Sequence, residues 1–322
     1  MNLHRKLFLA AVAALLLLVT PTVAGAAPPD RHSGPQRLAI GLSGGAGSTI
    51  GPDGALYVTE RLSGEISRVD RHTGAVTTYA TGLPLPLGEP GGSMDIEFLG
   101  GKAYVLVTLV GSDIGGTSVV GLYRMDGPST FTVVADIGAW TIAHPSDTEW
   151  VVPSGMQYAM IPYGGDFLVT DAHHNRVLRV TRTGQISIVV AFPNIVPTGM
   201  DIRRDTVVLA QAGPAPNLPE DGKIVAFDPR SPRPHEVASG GRLLVDVRYG
   251  RNDLYALAQG FFPPGNPHGS PALPNTGELL RAERDGTFAV VATGLNQPTA
   301  LQIVGNTAYI VTLNGEIWTV RL

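Results

Sequence analysis

Gly51-Pro52-Asp53-Gly54-Ala55-Leu56-Tyr57-Val58-Thr59-Glu60 is the stretch on which the fold turns. Gly-Pro-Asp-Gly supplies turn chemistry, and the β-branched and aromatic run after it suits a pleated, half-buried strand. The same pattern returns at Ala103-Tyr104-Val105-Leu106-Val107, Phe167-Leu168-Val169-Thr170-Asp171, Val207-Val208-Leu209-Ala210-Gln211, Leu254-Tyr255-Ala256-Leu257-Ala258 and Ala308-Tyr309-Ile310-Val311-Thr312. Tyr57 and Tyr309 are 252 residues and five steps apart, so the period is about 50 residues, the length of a propeller blade.

Each of these runs is followed by a second in which apolar and polar residues alternate, as in Glu65-Ile66-Ser67-Arg68-Val69 or Arg176-Val177-Leu178-Arg179-Val180. A third run, ending in Ala80-Thr81-Gly82-Leu83 or Ala292-Thr293-Gly294-Leu295, closes the first five copies. A short apolar run precedes each turn, Met94-Asp95-Ile96-Glu97-Phe98 for example, which makes four strands per copy. The sixth copy has no closing run, and Arg37-Leu38-Ala39-Ile40-Gly41-Leu42 near the N-terminus carries that pattern instead. The expected fold is all-β: a six-bladed propeller of four-stranded blades over residues 35–322, with the N-terminal strand completing the last blade and leaving no exposed edge.

Composition limits the partners. The 322 residues include 23 basic and 27 acidic side chains, a formal charge of −4, so the positive field that nucleic acid requires is missing. Arg5 and Lys6, the apolar run from Leu7 to Val19 and Ala24-Gly25-Ala26 read as a secretory signal over residues 1–26, with a flexible stretch at 27–34 and export to the extracellular space. The apolar run is well short of the roughly 20 residues that cross a bilayer, and no membrane span is expected after cleavage. There is no cysteine to stabilise the exported chain, which leaves burial and ring closure to do so.

In a blade with strands A to D running outward, the B–C loops and the D–A links share one face. These are the long, irregular connections here: Thr108 to Val119, Gln211 to Gly222, Gln259 to Gly277, and Ala139 to Gly155. A ligand or partner site is therefore expected on that face, at the mouth of the central channel. Its candidate binding residues are Glu60, Asp171, His173, His174, Gln211 and Gln259, with Phe261 and Phe262 in the loop Gly260–Gly269, and Glu89, Asp147, Glu149 and Asn296 from the links. Two histidines among carboxylates could hold a divalent metal ion or transfer protons. Asp171-Ala172-His173-His174-Asn175 is equally the composition of a polar hairpin turn, and a carboxylate at a strand end such as Glu60 is commonly paired with a neighbour. No phosphate loop, His-Glu-x-x-His, Gly-x-Ser-x-Gly or EF-hand pattern is present.

The repeat resembles the NHL type of six-bladed propeller. In the order of its features, including Leu168-Val169-Thr170-Asp171-Ala172, Asn175 to Val180, and Phe192-Pro193 to Val196-Pro197-Thr198-Gly199, it is similar to the secreted bacterial ScyD/ScyE family. That resemblance implies no established activity. Propellers of the gluconolactonase kind imply a channel metal held by a Glu near the start of the first inner strand, where this chain has Ala46-Gly47-Ser48-Thr49-Ile50. Two functions stay open from sequence: a secreted propeller that binds a small molecule or a protein partner through one face, or a divalent-metal-dependent hydrolase, lyase or lactonase with a channel site.

Overall fold

A computed structural model describes residues 34–149, 151–267 and 269–322. The expected signal segment 1–26, all but Gly34 of the 27–34 stretch, and His268 of the Gly260–Gly269 loop lie outside the described residues. The rest forms six four-stranded antiparallel sheets. Their inner strands are Gly45–Ile50, Gly92–Leu99, Gln157–Tyr163, Pro197–Arg203, Leu244–Tyr249 and Pro298–Val304, for blades 1 to 6. All twelve B and C strands expected from sequence are present within a few residues at their ends; Leu56–Glu60, Glu65–Val69, Arg176–Val180, Lys223–Phe227 and Leu254–Ala258 match at both ends. Gln36–Ala39 pairs antiparallel with Ile317–Arg321 as the outer strand of blade 6, so the ring closes as expected.

Period-2 alternation accounts for how the blades pack. Leu56 and Val58 face blade 6, whereas Tyr57 between them faces blade 2. Tyr104, Val208, Tyr255 and Tyr309 likewise face the next blade around the ring. The buried apolar residues consequently divide into one cluster for each of the six blade interfaces, plus a small group of Ala46, Met94 and Met156 near the axis.

The one α-helix among the described residues, Ile137–Ala143, lies in the link between blades 2 and 3 and is capped by Asp136, which accepts from the Ala139 N–H at 2.8 Å. Arg176 secures it from below. Its Nη2 donates to Thr141 Oγ1 (3.1 Å), its Nη1 to the His144 carbonyl (2.6 Å) and its Nε to Asp171 (3.0 Å).

Candidate functional site

Every inner strand carries a register break near its start: between Gly45 and Ser48, Ser93 and Asp95, Gln157 and Met160, Pro197 and Met200, Leu244 and Asp246, and Pro298 and Ala300. A bulge re-aims side chains out of the strict alternation. Here the residues in the breaks, among them Ala46, Met94, Tyr158, Thr198, Val245 and Thr299, ring a cavity of about 230 Å³ on the face of the B–C loops. Gly47 and Gly199 belong to the same ring because nothing larger fits: a Cβ on Gly47 would overlap Asp95 Oδ1 and the Met94 carbonyl, and one on Gly199 would overlap Asp246.

The cavity floor is ionic. Asp95 accepts from the N–H of Ile96 (2.9 Å) and from Met160 N–H in blade 3 (2.8 Å). Asp246 does the same with Val247 and with Leu301 of blade 6, both at 2.8 Å. Arg248 lies across three inner strands, donating to the carbonyls of Met200 and Leu301 and approaching Asp246 Oδ2 at 3.4 Å. Burial pushes the Asp95 carboxyl up to about 7 and that of Asp246 up to about 6, against the pull of their N–H partners and Arg248. Glu97, which accepts from Thr49 Oγ1 at 2.9 Å, is raised by the same desolvation.

The rim comes from the long connections expected from sequence, with one exception. Pro214 to Asn217, Gln259 to Pro271, and the link around Glu149 to Met156 all contribute to the lining. The Thr108–Val119 loop does not; its Asp113 instead accepts from Ser154 N–H (2.9 Å) and so holds the neighbouring link.

Of the candidate side chains, His173, Gln259 and Phe262 line the cavity, as do Glu89 and Glu149. Glu60, Asp171, His174, Gln211 and Phe261 do not. Glu60 is buried within blade 1, where its carboxylate accepts from Ser43 N–H and Ser67 Oγ. Asp171 forms a buried ion pair with Arg176. His174 accepts from Ser146 N–H at Nδ1 (3.1 Å), so Nε2, 3.2 Å from the Pro153 carbonyl, carries the proton; the ring is neutral and burial lowers its pKa. Gln211 is buried where the ends of the inner strand and strand C of blade 4 meet, opposite Pro197 and Lys223. Phe261 is 40% exposed with Arg242 over its ring at 5.6 Å, whereas Phe262 is 6% exposed and turned inward.

The cavity also takes in residues that the sequence did not single out. Arg61 follows Glu60 directly; its side chain is 5% exposed, and Nη1 lies 2.7 Å from Glu89 Oε2. Asn175 takes a left-handed backbone (φ 50°), and its Oδ1 accepts from the N–H groups of Ile195 and Val196, both at 2.9 Å, which fixes the next link over the rim. Gln259 is likewise occupied with holding its loop, accepting from Ala272 N–H at 2.9 Å. Among the described residues no group of three or more His, Asp or Glu side chains is placed to hold a metal ion.

These six sheets, their closure and their channel decide the architecture. The chain is a six-bladed β-propeller. Solved structures similar to it include a gluconolactonase from Xanthomonas campestris (12% identity, TM-score 0.62, 89% of each chain covered) and virginiamycin B lyase from Staphylococcus aureus (14%, 0.53, 89% of this chain and 99% of that one). A third is the PQQ-bound aldose sugar dehydrogenase from Streptomyces coelicolor (15%, 0.56, 92% and 99%). At such identities the likeness is one of fold. No protein-family profile matches the chain, and no curated protein matches it in sequence.

Proposed function

We propose that this propeller binds a compact, largely apolar small molecule in the cavity at the channel mouth. The observation that carries this is the ring of bulge residues. Six inner strands each turn side chains out of the blade packing, and most of those side chains are apolar or small, as in ligand pockets generally. The volume of about 230 Å³ is below the roughly 300–1,000 Å³ of pockets for drug-sized ligands, which sets the size class. Among the described residues no group of three or more His, Asp or Glu side chains is placed for the divalent-metal alternative, and Glu60, Asp171 and His174 are each engaged within the blades and their links. Residues 1–26 support the same proposal in placing this activity outside the cell, and the repeat motifs support placing the chain with secreted propellers of the ScyD/ScyE kind. No described helix is long and apolar enough to cross a membrane.

The test uses indole and benzyl alcohol as uncharged probes in calorimetric titration and thermal unfolding. A ligand that binds only the native state adds about 2.7 kcal/mol at one hundred times its Kd, which a melting curve resolves. Ala215 is exposed on the rim, so Ala215→Trp should fill the mouth and weaken both probes at least tenfold without lowering the melting point. Saturable binding that Ala215→Trp leaves unchanged, or no binding at all, would overturn the proposal.

A further inference from the structure

Arg61 is the buried cation of the cavity wall, and its contacts are unbalanced. The side chain is 5% exposed, yet neither Nε nor Nη1, both buried, makes a hydrogen bond, and the ion-pair partner Glu89, 2.7 Å from Nη1, is 57% exposed on a rim link. A guanidinium withdrawn from water loses solvation that one exposed surface carboxylate replaces only in part. The other charged lining groups are arranged differently. Asp246 and Arg248 face each other on the floor, Asp95 is held by two N–H donors, and Glu149 is on the exposed rim. Arg61 is thus the lining cation left with donor capacity, in a cavity whose wall also includes the apolar Met94 and Met156.

We infer that the cavity takes a small carboxylic acid with an apolar body, its carboxylate on Arg61 in place of Glu89 and its body against the ring of bulge residues. The planar, forked guanidinium can take a carboxylate in a bidentate pair, and the small, largely apolar cavity suits a carboxylate on a compact apolar body. The inference rests on the cavity reading above and adds the chemical class of the ligand.

The test compares phenylacetate with its isostere phenylacetamide and with phenethylamine, by calorimetric titration at fixed salt. Phenylacetate should bind at least tenfold tighter than either, and Arg61→Met should erase that preference. Because Arg61→Met could also disturb the loop, Glu89→Gln serves as the second variant: it removes the competing carboxylate at an exposed position and should tighten phenylacetate at least threefold. An amide or amine that binds as tightly as the acid, or Glu89→Gln that leaves phenylacetate unchanged or weaker, overturns the inference. The cavity reading is judged separately, on indole and benzyl alcohol with Ala215→Trp, so uncharged binding without acid preference sinks only the inference about class. Absence of binding by all three phenyl probes sinks it as well.

Discussion

Arg176→Met separates structural from functional carboxylates in this chain. Arg176 is 1% exposed and gives its donors to Asp171, the His144 carbonyl and Thr141, with its guanidinium 5.0 Å from the Trp140 ring centre. Replacing it with Met keeps much of the volume but leaves Asp171 buried without its cation, which costs about 3–5 kcal/mol. With an unfolding entropy near 2.1 cal/mol/K per residue, about 290 ordered residues give about 0.6 kcal/mol/K, so the melting point should fall by about 5–8 °C. The loss should grow between pH 5 and pH 8. Burial already raises the Asp171 carboxyl above its ordinary value, and without Arg176 the folded state would hold that proton still longer. The native variant then binds more protons than the unfolded chain above about pH 4, so its stability falls as pH rises. Adding Asp171→Asn should recover part of the loss, since the unpaired charge goes with it. Calorimetric melting of the single and double variants at pH 5, 6.5 and 8, together with indole titration of each, forms the assay. A deficit under about 1 kcal/mol, a deficit that ignores pH, or an Asp171→Asn variant that melts normally and no longer binds indole would refute the structural assignment.

Three other outcomes follow from the geometry. Gly47→Ala should lower the urea midpoint by an amount equivalent to about 1–3 kcal/mol, because the new Cβ meets backbone and Asp95 rather than a side chain that can move; an unchanged midpoint would contradict the close approach. The melting point of the unaltered protein should decline from pH 5 to pH 8, since Asp95, Asp246 and Glu97 all have folded pKa values raised above their unfolded ones and hold protons that the unfolded chain has released. His174, lowered by burial, opposes this below about pH 6.5, and Asp126 and Asp228, held low by Arg124 and Arg230, contribute stability that is lost only in acid; a melting point rising throughout from 5 to 8 would contradict the assignment. Phe262→Ala should weaken indole at least fivefold while Phe261→Ala leaves it unchanged, and the reverse order in titration would show that the loop is turned the other way.

The blades were legible because strands B and C are long enough to show their alternation and are bounded by Gly, Asn and Asp turns. Tyr57, Tyr104, Tyr255 and Tyr309 stand in the recurring aromatic and β-branched runs, and each faces a neighbouring blade. The face that carries the cavity was legible for a different reason, the length of its connections. The side chains within it were not. Phe261 and Phe262 are adjacent and differ only in which way the backbone turns, and Glu60 and Arg61 stand at a strand end where one enters the blade and the other the cavity. The inner strands read as short apolar runs, but which of their residues line the cavity did not, since a bulge breaks the alternation that assigns each side chain to a face. Gly47 and Gly199 were the available signal, each packed against an aspartate one blade further on.

Those glycines belong to a pattern that accounts for the polar floor of the cavity. Gly47, Asp95 and Met160 in blades 1 to 3 have counterparts in Gly199, Asp246 and Leu301 of blades 4 to 6: each aspartate packs on the glycine before it and accepts from the inner strand after it. Asp95 and Asp246 stand opposite Leu106 and Leu257, and two residues on, Glu97 and Arg248 stand opposite Tyr104 and Tyr255. The halves match in backbone and part in charge at that last position. Glu97 is tied to blade 1 by Thr49, whereas Arg248 reaches Met200 and Leu301 and so joins blades 4, 5 and 6 across the axis. The lining of the cavity ends at Asp95, Asp246 and Arg248. These polar groups are already supplied with partners, so they form a floor rather than a recognition surface, and selectivity has to come from the rim, where Arg61 still has a donor to give.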